Sequence, residues 1–279
     1  MKKIIQHFYS PCLKSIEIGI DEVGRGPLLG RVYTAAVILP KDDSFNHFNM
    51  KDSKRFHSKK KINEMSEYIK ANAIAWSISW EDEKIIDKIN ILQATQQSMH
   101  TCINDILIKH EIKHEIKHES IKQSDDTYKL LIDGNYFKPY YHYNFSRKRI
   151  EQISHECIIG GDDKYSAIAA ASILAKVARD SYIEELCKEF PYLDDNYSIL
   201  SNKGYGTKKH MDGIKQHGIT EWHRHSFSLP LPLPLPLFPK VEKVEVEEYI
   251  CNMSHDCPIN SNCGSLSPEC KKHGSIYNI

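Results

Sequence analysis

Along the chain, the first clear alternation of polar and apolar positions is Ser15-Ile-Glu-Ile-Gly-Ile20, the period-two signature of a half-buried strand. It runs into Asp21-Glu-Val-Gly-Arg-Gly-Pro-Leu-Leu-Gly30, a glycine-rich turn. Val32 to Leu39 reads as a second strand stopped by Pro40, so the two strands make a hairpin. Residues 58–70 read as a helix, Ala73 to Trp80 as a third strand, and Glu81 to about Ile108 as a helix with Ile85, Ile86, Ile89, Leu92 and Met99 in its pattern. Lys129 to Ile132 is a short apolar strand ending at Asp133-Gly134. Cys157 to Ile159 is another, ending at Gly160-Gly161-Asp162, and an alanine-rich helix covers Ala167 to Cys187. Strands early and helices interleaved later predict an α/β fold, a mixed sheet flanked by helices.

Two segments break this pattern. Residues 108–119 repeat Ile-Lys-His-Glu three times, with period four, and read as a helical extension inside a low-complexity insertion over 108–122. Lysine faces lysine and glutamate faces glutamate at i,i+4, so the extension is poorly stabilised. His110, His114 and His118 share that spacing, but no acidic or cysteine partner completes a metal site, and a solvated face is the expectation. The second segment, Leu229-Pro-Leu-Pro-Leu-Pro-Leu-Pro-Leu237, excludes helix and sheet ladder and reads as a semi-rigid polyproline spacer over 229–239. A folded body over 1–228 and a tail over 240–279 follow.

Composition narrows the class. The 279 residues carry 37 Lys+Arg and 37 Asp+Glu, 41% hydrophobic residues and 27% charged, the balance of a soluble globular protein. Disorder throughout and a global basic signature are both excluded. No apolar run reaches a membrane span or a secretory core, so a cytoplasmic protein is expected. Of eight cysteines, Cys251, Cys257, Cys263 and Cys270 crowd the tail. Their spacing lacks Cys-x-x-Cys knuckles, and an irregular tail rather than a zinc module is expected.

The chemistry lies in the acids. Asp21 and Glu22 end the first strand, Asp133 ends another, and Asp162 follows a third. Acids at the ends of neighbouring strands converge on one edge of a sheet, where hard divalent cations offset their repulsion. Such a set suits two-metal phosphoryl chemistry. Gly24-Arg25-Gly26, directly after the acidic pair, is a turn able to bring backbone groups against a ribose or phosphate.

Ile18-Gly-Ile-Asp21-Glu22-Val-Gly-Arg-Gly-Pro27 closely resembles the signature of the type 2 ribonuclease H family, ribonuclease HII. The likeness continues in order through Lys51-Asp-Ser-Lys54, Asn90-Ile-Leu-Gln-Ala-Thr95, Leu131-Ile-Asp133-Gly-Asn135, Gly161-Asp162 with Ile168 to Asp180, Gly204-Tyr205-Gly-Thr-Lys-Lys-His210 and His223-Arg-His-Ser-Phe227. It covers about residues 14 to 228. The resemblance implies a ribonuclease H-like fold with a C-terminal helical part. It also implies a metal-dependent endoribonuclease that cleaves the RNA strand of RNA/DNA hybrids and incises at ribonucleotides embedded in duplex DNA. Such an enzyme leaves 5′-phosphate and 3′-hydroxyl ends and serves RNA primer removal and ribonucleotide excision. By motif position Asp21, Glu22, Asp133 and Asp162 are the catalytic acids, holding Mn2+ or Mg2+. Gly24, Arg25 and Gly26 contact the 2′-hydroxyl, Tyr205 packs on the neighbouring sugar, and Lys54 and Lys176, with Arg55 beside them, are phosphate contacts. Asp180 is read as structural, and a monomer acting on nucleic acid with no membrane partner is expected.

The chain departs from the family pattern in places. Gly160 stands where relatives carry a lysine, Gly206 where they carry a proline after the tyrosine, and Arg31 replaces another common proline. The stretch from Asp133 to Asp162, with Tyr140-Tyr-His-Tyr-Asn-Phe145, is longer than in many bacterial relatives. All four acids persist. The rival readings are a ribonuclease H-like DNA nuclease and a hybrid-binding protein without turnover. The glycine turn and tyrosine motif speak against the first, the intact acids against the second.

Overall fold

The computed structural model describes residues 5–12, 15–51, 53–56, 58–117, 127–144 and 148–229, with the backbone alone at 111–117 and 144. In chain order the elements are β1 (Ser15–Val23), β2 (Val32–Ile38), α1 (Lys59–Asn72), β3 (Ala75–Glu81), α2 (Glu83–Lys117), β4 (Thr127–Asp133), β5 (Tyr141–Asn144), β6 (Arg149–Gln152), β7 (Ser154–Ile158), α3 (Ser166–Glu189), α4 (Tyr192–Tyr197), α5 (Ile199–Asn202) and α6 (Lys208–His217). Strand β1 is buried on both faces along most of its length, as a central strand must be. The sheet order is β3-β2-β1-β4-β7. β1 pairs antiparallel with β2 and parallel with β4, and β4 pairs parallel with β7. The C-terminal ends of β1, β4 and β7 therefore share one edge of the sheet.

Period-two alternation sorts the two faces. Ile18, Ile20, Ala36, Leu130 and Ile132 pack against Met99, Cys102, Ile103 and Ile106 of α2. On the other face Tyr33, Ala35 and Val37 meet the alanine-rich start of α3, with Ile62 and Ile69 of α1 beside them. Each such isoleucine or leucine withdrawn from water contributes about 1.5–3 kcal/mol. The small residues of α3 have a steric purpose. A Cβ at Gly19 would lie 2.2 Å from the Ala167 carbonyl carbon, so strand and helix backbones touch there without side chains between them. That contact brings α3 down onto the strand immediately before Asp21.

The N-terminal strap ties the same region together from outside. Gln6 donates to Lys164 O (2.7 Å) and accepts from Ser166 N (2.9 Å), forming a short parallel bridge beside Tyr165. Buried Glu17 accepts from Tyr9 N and Ser10 N and pairs with Lys41 at 2.8 Å. The loop that carries Asp162 is thus bonded on its far side to residues ahead of β1.

Several expectations are refined. The α2 pattern runs on to Lys117, through part of the Ile-Lys-His-Glu repeat, but the helix is broken at Asn90 (φ 68°, ψ 162°). The Asn90 side chain accepts from Gln93 N (3.1 Å) and restarts the helix as an N-cap, which an uninterrupted apolar pattern conceals. His110 bonds Tyr128 Oη (3.0 Å), while His118 lies outside the described residues. The long stretch between Asp133 and Asp162 folds into an antiparallel hairpin, β5–β6, that the tyrosine-rich sequence did not predict. Cys12, Cys102, Cys157 and Cys187 are free thiols. The chain divides into two units between residues 235 and 236. Leu229 packs on the cluster of Leu193, Ile199 and Ile214. The rest of the expected spacer and the whole tail lie outside the described residues. Among the described residues no helix is long and apolar enough to cross a membrane.

The Gly19–Ala167 contact makes a direct prediction. Gly19→Ala inserts a methyl between two backbones and is expected to lower stability by about 1–3 kcal/mol. Chemical denaturation checks it: the midpoint should fall with little change in the denaturant slope, and an unmoved midpoint would show that α3 yields freely.

Candidate active site

Asp21 stands near the end of β1, on the face covered by α3, and is almost wholly buried. It accepts the Glu22 backbone N–H (2.7 Å) and a bond from the Ser172 hydroxyl. Ser172 in turn bonds Ser53 Oγ (2.9 Å), linking Asp21 through α3 to the Lys51–Lys54 segment. Asp133, at the end of the neighbouring parallel strand, accepts the Gly161 N–H at 2.6 Å, so the turn bearing Asp162 is docked on the third acid. Gly161 has no alternative here: a Cβ would lie 2.6 Å from Ile168 Cδ1 and 3.3 Å from the Asp133 carboxylate. Asp162 is itself buried and lies 3.9 Å from Lys54 Nζ.

These acids sit in one another's field. Burial, then Glu22, then Asp133 push the Asp21 carboxyl well above the usual carboxylate range. Glu22 is raised as well, chiefly by burial, against the opposing pull of Arg25, whose guanidinium lies 3.2 Å from Oε1. Its other oxygen, Oε2, is buried with no hydrogen-bond partner among the described residues. An orphaned carboxylate oxygen among mutually repelling acids is the donor set that a hard divalent cation completes. Among the described residues no three His, Cys, Asp or Glu side chains close on a single point.

The glycine turn is bolted to the C-terminal part of the body. Arg224, fully buried, donates to the carbonyl oxygens of Gly24 (2.6 Å), Arg25 (2.9 Å) and Gly30 (2.8 Å). Burial and neighbouring Arg179 push its pKa down, while three carbonyl acceptors favour the charged guanidinium. Arg179 donates to Arg31 O (3.3 Å) and Lys203 O (2.9 Å). Gly24, at φ +94°, leaves no space for a side chain, since a Cβ would strike Arg179 Nε at 2.3 Å. Leu28 N bonds Gly204 O at 2.8 Å. The half-exposed Tyr205 ring stands beside Gly26, where a Cβ would lie 3.4 Å from Cε1.

The residues singled out in the sequence thus fall into two groups. Asp21, Glu22, Asp133 and Asp162 gather at one sheet edge, with Lys54 on Asp162. Gly24, Arg25, Gly26 and Tyr205 form an adjoining cleft, and Arg25 links the two through Glu22. Lys176 bonds Asp180 at 2.7 Å, on the same helix face as Ser172, and Arg55 pairs with Asp163 at 3.3 Å. Ser172, Arg179 and Arg224 lie inside motifs quoted above, but sequence reasoning assigns none of them a role. A serine in an alanine run and an arginine in a basic cluster look like surface, and only burial distinguishes them.

Both raised carboxyls make apo stability pH-dependent in a defined direction. A carboxyl raised on folding favours the folded state while it is protonated, and that contribution is lost as pH rises through the raised value. Asp21→Asn removes the charge and keeps the acceptor for Glu22 N. It is expected to raise the apo Tm near neutral pH, with the gain shrinking toward about pH 4, the ordinary carboxylate range. Adding Mn2+ should stabilise the wild type more than this variant. Calorimetry across pH checks both, and equal metal-induced shifts would remove Asp21 from the cation site.

The family model of Ribonuclease HII matches residues 18–229. The Ribonuclease HII of Parabacteroides distasonis is 42% identical over 212 residues, 76% of this chain and 89% of the relative. That of Bacteroides fragilis is 42% identical over 225 residues, 81% of this chain and 95% of the relative. Among solved structures, ribonuclease H2 from Pyrococcus horikoshii OT3 superposes with a TM-score of 0.54 at 19% identity, over 77% of this chain and 94% of that one. The Archaeoglobus fulgidus RNase HII, solved in a PCNA complex, gives 0.53 at 21% identity over 77% and 96%. The structural likenesses establish the ribonuclease H-like fold, and the sequence matches go further: the chain belongs to the ribonuclease HII family of endoribonucleases, which hydrolyse the RNA strand of RNA/DNA hybrids.

Proposed function

We propose that this enzyme, besides cleaving hybrids, incises at single ribonucleotides embedded in duplex DNA, with Asp21, Glu22, Asp133 and Asp162 as catalytic acids. The observation that carries the reading is the placement of the Tyr205 ring against Gly26, in a cleft joined through Arg25 to the buried acids. The acids would hold divalent cations, Mn2+ or Mg2+. When bound, such cations supply Lewis acidity and charge neutralisation at a scissile phosphate.

The chain's own residues do the rest. The Gly24-Arg25-Gly26 backbone, fixed from behind by Arg224, offers its groups to a ribose 2′-hydroxyl, the atom that separates RNA from DNA. Tyr205 packs on the next sugar and senses the junction. Lys54, 3.9 Å from Asp162 and largely exposed, and Lys176, beside Asp180, contact phosphates. Ser172 holds Asp21 in its rotamer, and the Gly161 N–H does the same for Asp133. The products are 5′-phosphate and 3′-hydroxyl ends. The enzyme works as a cytoplasmic monomer in primer removal and ribonucleotide excision, on nucleic acid alone.

The test is a duplex with one ribonucleotide, a uniform hybrid and an all-DNA duplex, each with and without Mg2+ or Mn2+. Cleavage of the first two only is expected, and cutting of the all-DNA duplex would favour a DNA nuclease. Asp133→Asn should lower kcat/KM on both ribonucleotide substrates by about 100-fold or more, since loss even of a residue supporting a metal ligand typically costs 10–100-fold. Near-normal turnover would sink the metal assignment. Tyr205→Ala removes a stacking contact of about 1–3 kcal/mol. It should impair the single-ribonucleotide duplex more than the hybrid, where many equivalent registers compensate. An unchanged ratio of the two kcat/KM values would remove Tyr205 from recognition.

A further inference from the structure

His210 and His223 lie side by side in the interior, both with no exposed surface. Their ring nitrogens Nε2 face each other at 3.1 Å. The outer nitrogens are also engaged: His223 Nδ1 lies 2.9 Å from Thr220 N and 2.8 Å from Thr220 Oγ1, and His210 Nδ1 lies 3.0 Å from Tyr205 O. These four contacts admit one arrangement of protons. A backbone N–H only donates, so His223 Nδ1 is an acceptor and the ring carries its proton on Nε2. That proton points at His210 Nε2, which must then be a lone pair. His210 consequently holds its proton on Nδ1 and donates it to the Tyr205 carbonyl, which only accepts. Hydrogen bonds run in one direction from the Thr220 backbone, through two neutral imidazoles, to the backbone of Tyr205.

The surroundings suit neutral rings. Tyr197 covers both imidazoles edge-on, with centroids 5.2 Å from His223 and 6.0 Å from His210. Burial lowers both histidines, His223 to about 3, where His210 and His225 add to the effect. Arg224, the next residue along, points its guanidinium into the glycine turn.

The two neighbours, His223 and Arg224, therefore reach the two segments that meet where the Tyr205 ring stands beside Gly26. Arg224 grips Gly24 O and Arg25 O, and His223 acts through His210 on Tyr205 O. Backbone bonds anchor their own segment, from Gly30 N to Trp222 O and from Arg224 N to Leu28 O, both at 2.8 Å. We propose that His210 and His223 are positioning residues that, with Arg224, set the gap between Tyr205 and the Gly24–Gly26 turn, and so govern discrimination at a single ribonucleotide. The inference rests on Tyr205 reading the junction, as proposed above.

Full-length protein carrying 15N-labelled histidine gives the first test, with the two rings assigned through His210→Asn and His223→Asn. His223 should show the Nε2–H tautomer and His210 the Nδ1–H tautomer. Any other pair, or a charged ring near neutral pH, overturns the relay. The second test is kinetic. His210→Ala should lower kcat/KM on the single-ribonucleotide duplex relative to the hybrid by about 10- to 100-fold, the scale of a misplaced positioning contact. His210→Asn, whose amide still reaches toward Tyr205 O, should restore much of that ratio. In the Tyr205→Ala background, His210→Ala should change the ratio no further. If Tyr205→Ala shifts the ratio but folded His210→Ala and His210→Asn do not, the positioning role is overturned. If Tyr205→Ala leaves the ratio unchanged, the junction reading fails instead, and the tautomers still decide the relay on their own.

Discussion

Three carboxylates held within one another's field, at the end of the central strands, set the terms for everything around them. Charge in such a place is unfavourable unless donors are already pointed at it. The donors are supplied from several directions: Glu22 N and Ser172 to Asp21, Gly161 N to Asp133, Arg25 to Glu22, Lys54 near Asp162. The Glu22 N and Arg25 donors are local, whereas those from Ser172 and Gly161 depend on elements brought unusually close. α3 lies directly on β1 because Gly19 has no side chain, and the Asp162 turn folds back because Gly161 has none. Glu22 Oε2 is left buried with no hydrogen-bond partner among the described residues.

The cleft beside the acids is built on another principle. It carries little charge of its own and depends on buried arginines that cap carbonyl oxygens. A turn such as Gly24–Gly30 has few ladder bonds, and its unpaired carbonyls need partners when buried. Arg224 provides three from a single rigid fork, and Arg179 two more on the flanking strands and loop. Arginine suits this task through its planar array of donors, which lysine lacks.

Much of this was legible before any coordinates. Strands β1 to β4 and β7, the long α3 and the four acids each follow from alternation, punctuation by glycine and the position of charge at strand ends. What the sequence hid has physical causes. The Asn90 break in α2 is made by a side chain capping its own backbone, inside an apolar pattern that never falters. The β5–β6 hairpin comes from tyrosines that face outward, without the apolar alternation of a buried sheet. Ser172, Arg179, Arg224 and the two histidines matter because they are buried next to particular carbonyls, and burial over long separations leaves no local trace.

The Arg224–Gly24 bond joins residues 200 positions apart in the chain. Its consequence concerns the order in which the molecule becomes competent during synthesis. β1 carries the first two acids, yet its parallel partner β4 arrives only after the insertion, and the brace behind the glycine turn arrives near the end of the body. At roughly 5–20 residues per second, the acidic pair waits on the order of ten seconds or longer for that arginine to be made. Throughout that interval the nascent chain has its first two acids without the arginine that braces the glycine turn. Lengthening the insertion between them adds little to the thermodynamic cost of closure, which grows only with the logarithm of loop length. The acidic pair and the braced turn are thus completed only when almost all of the body has been translated.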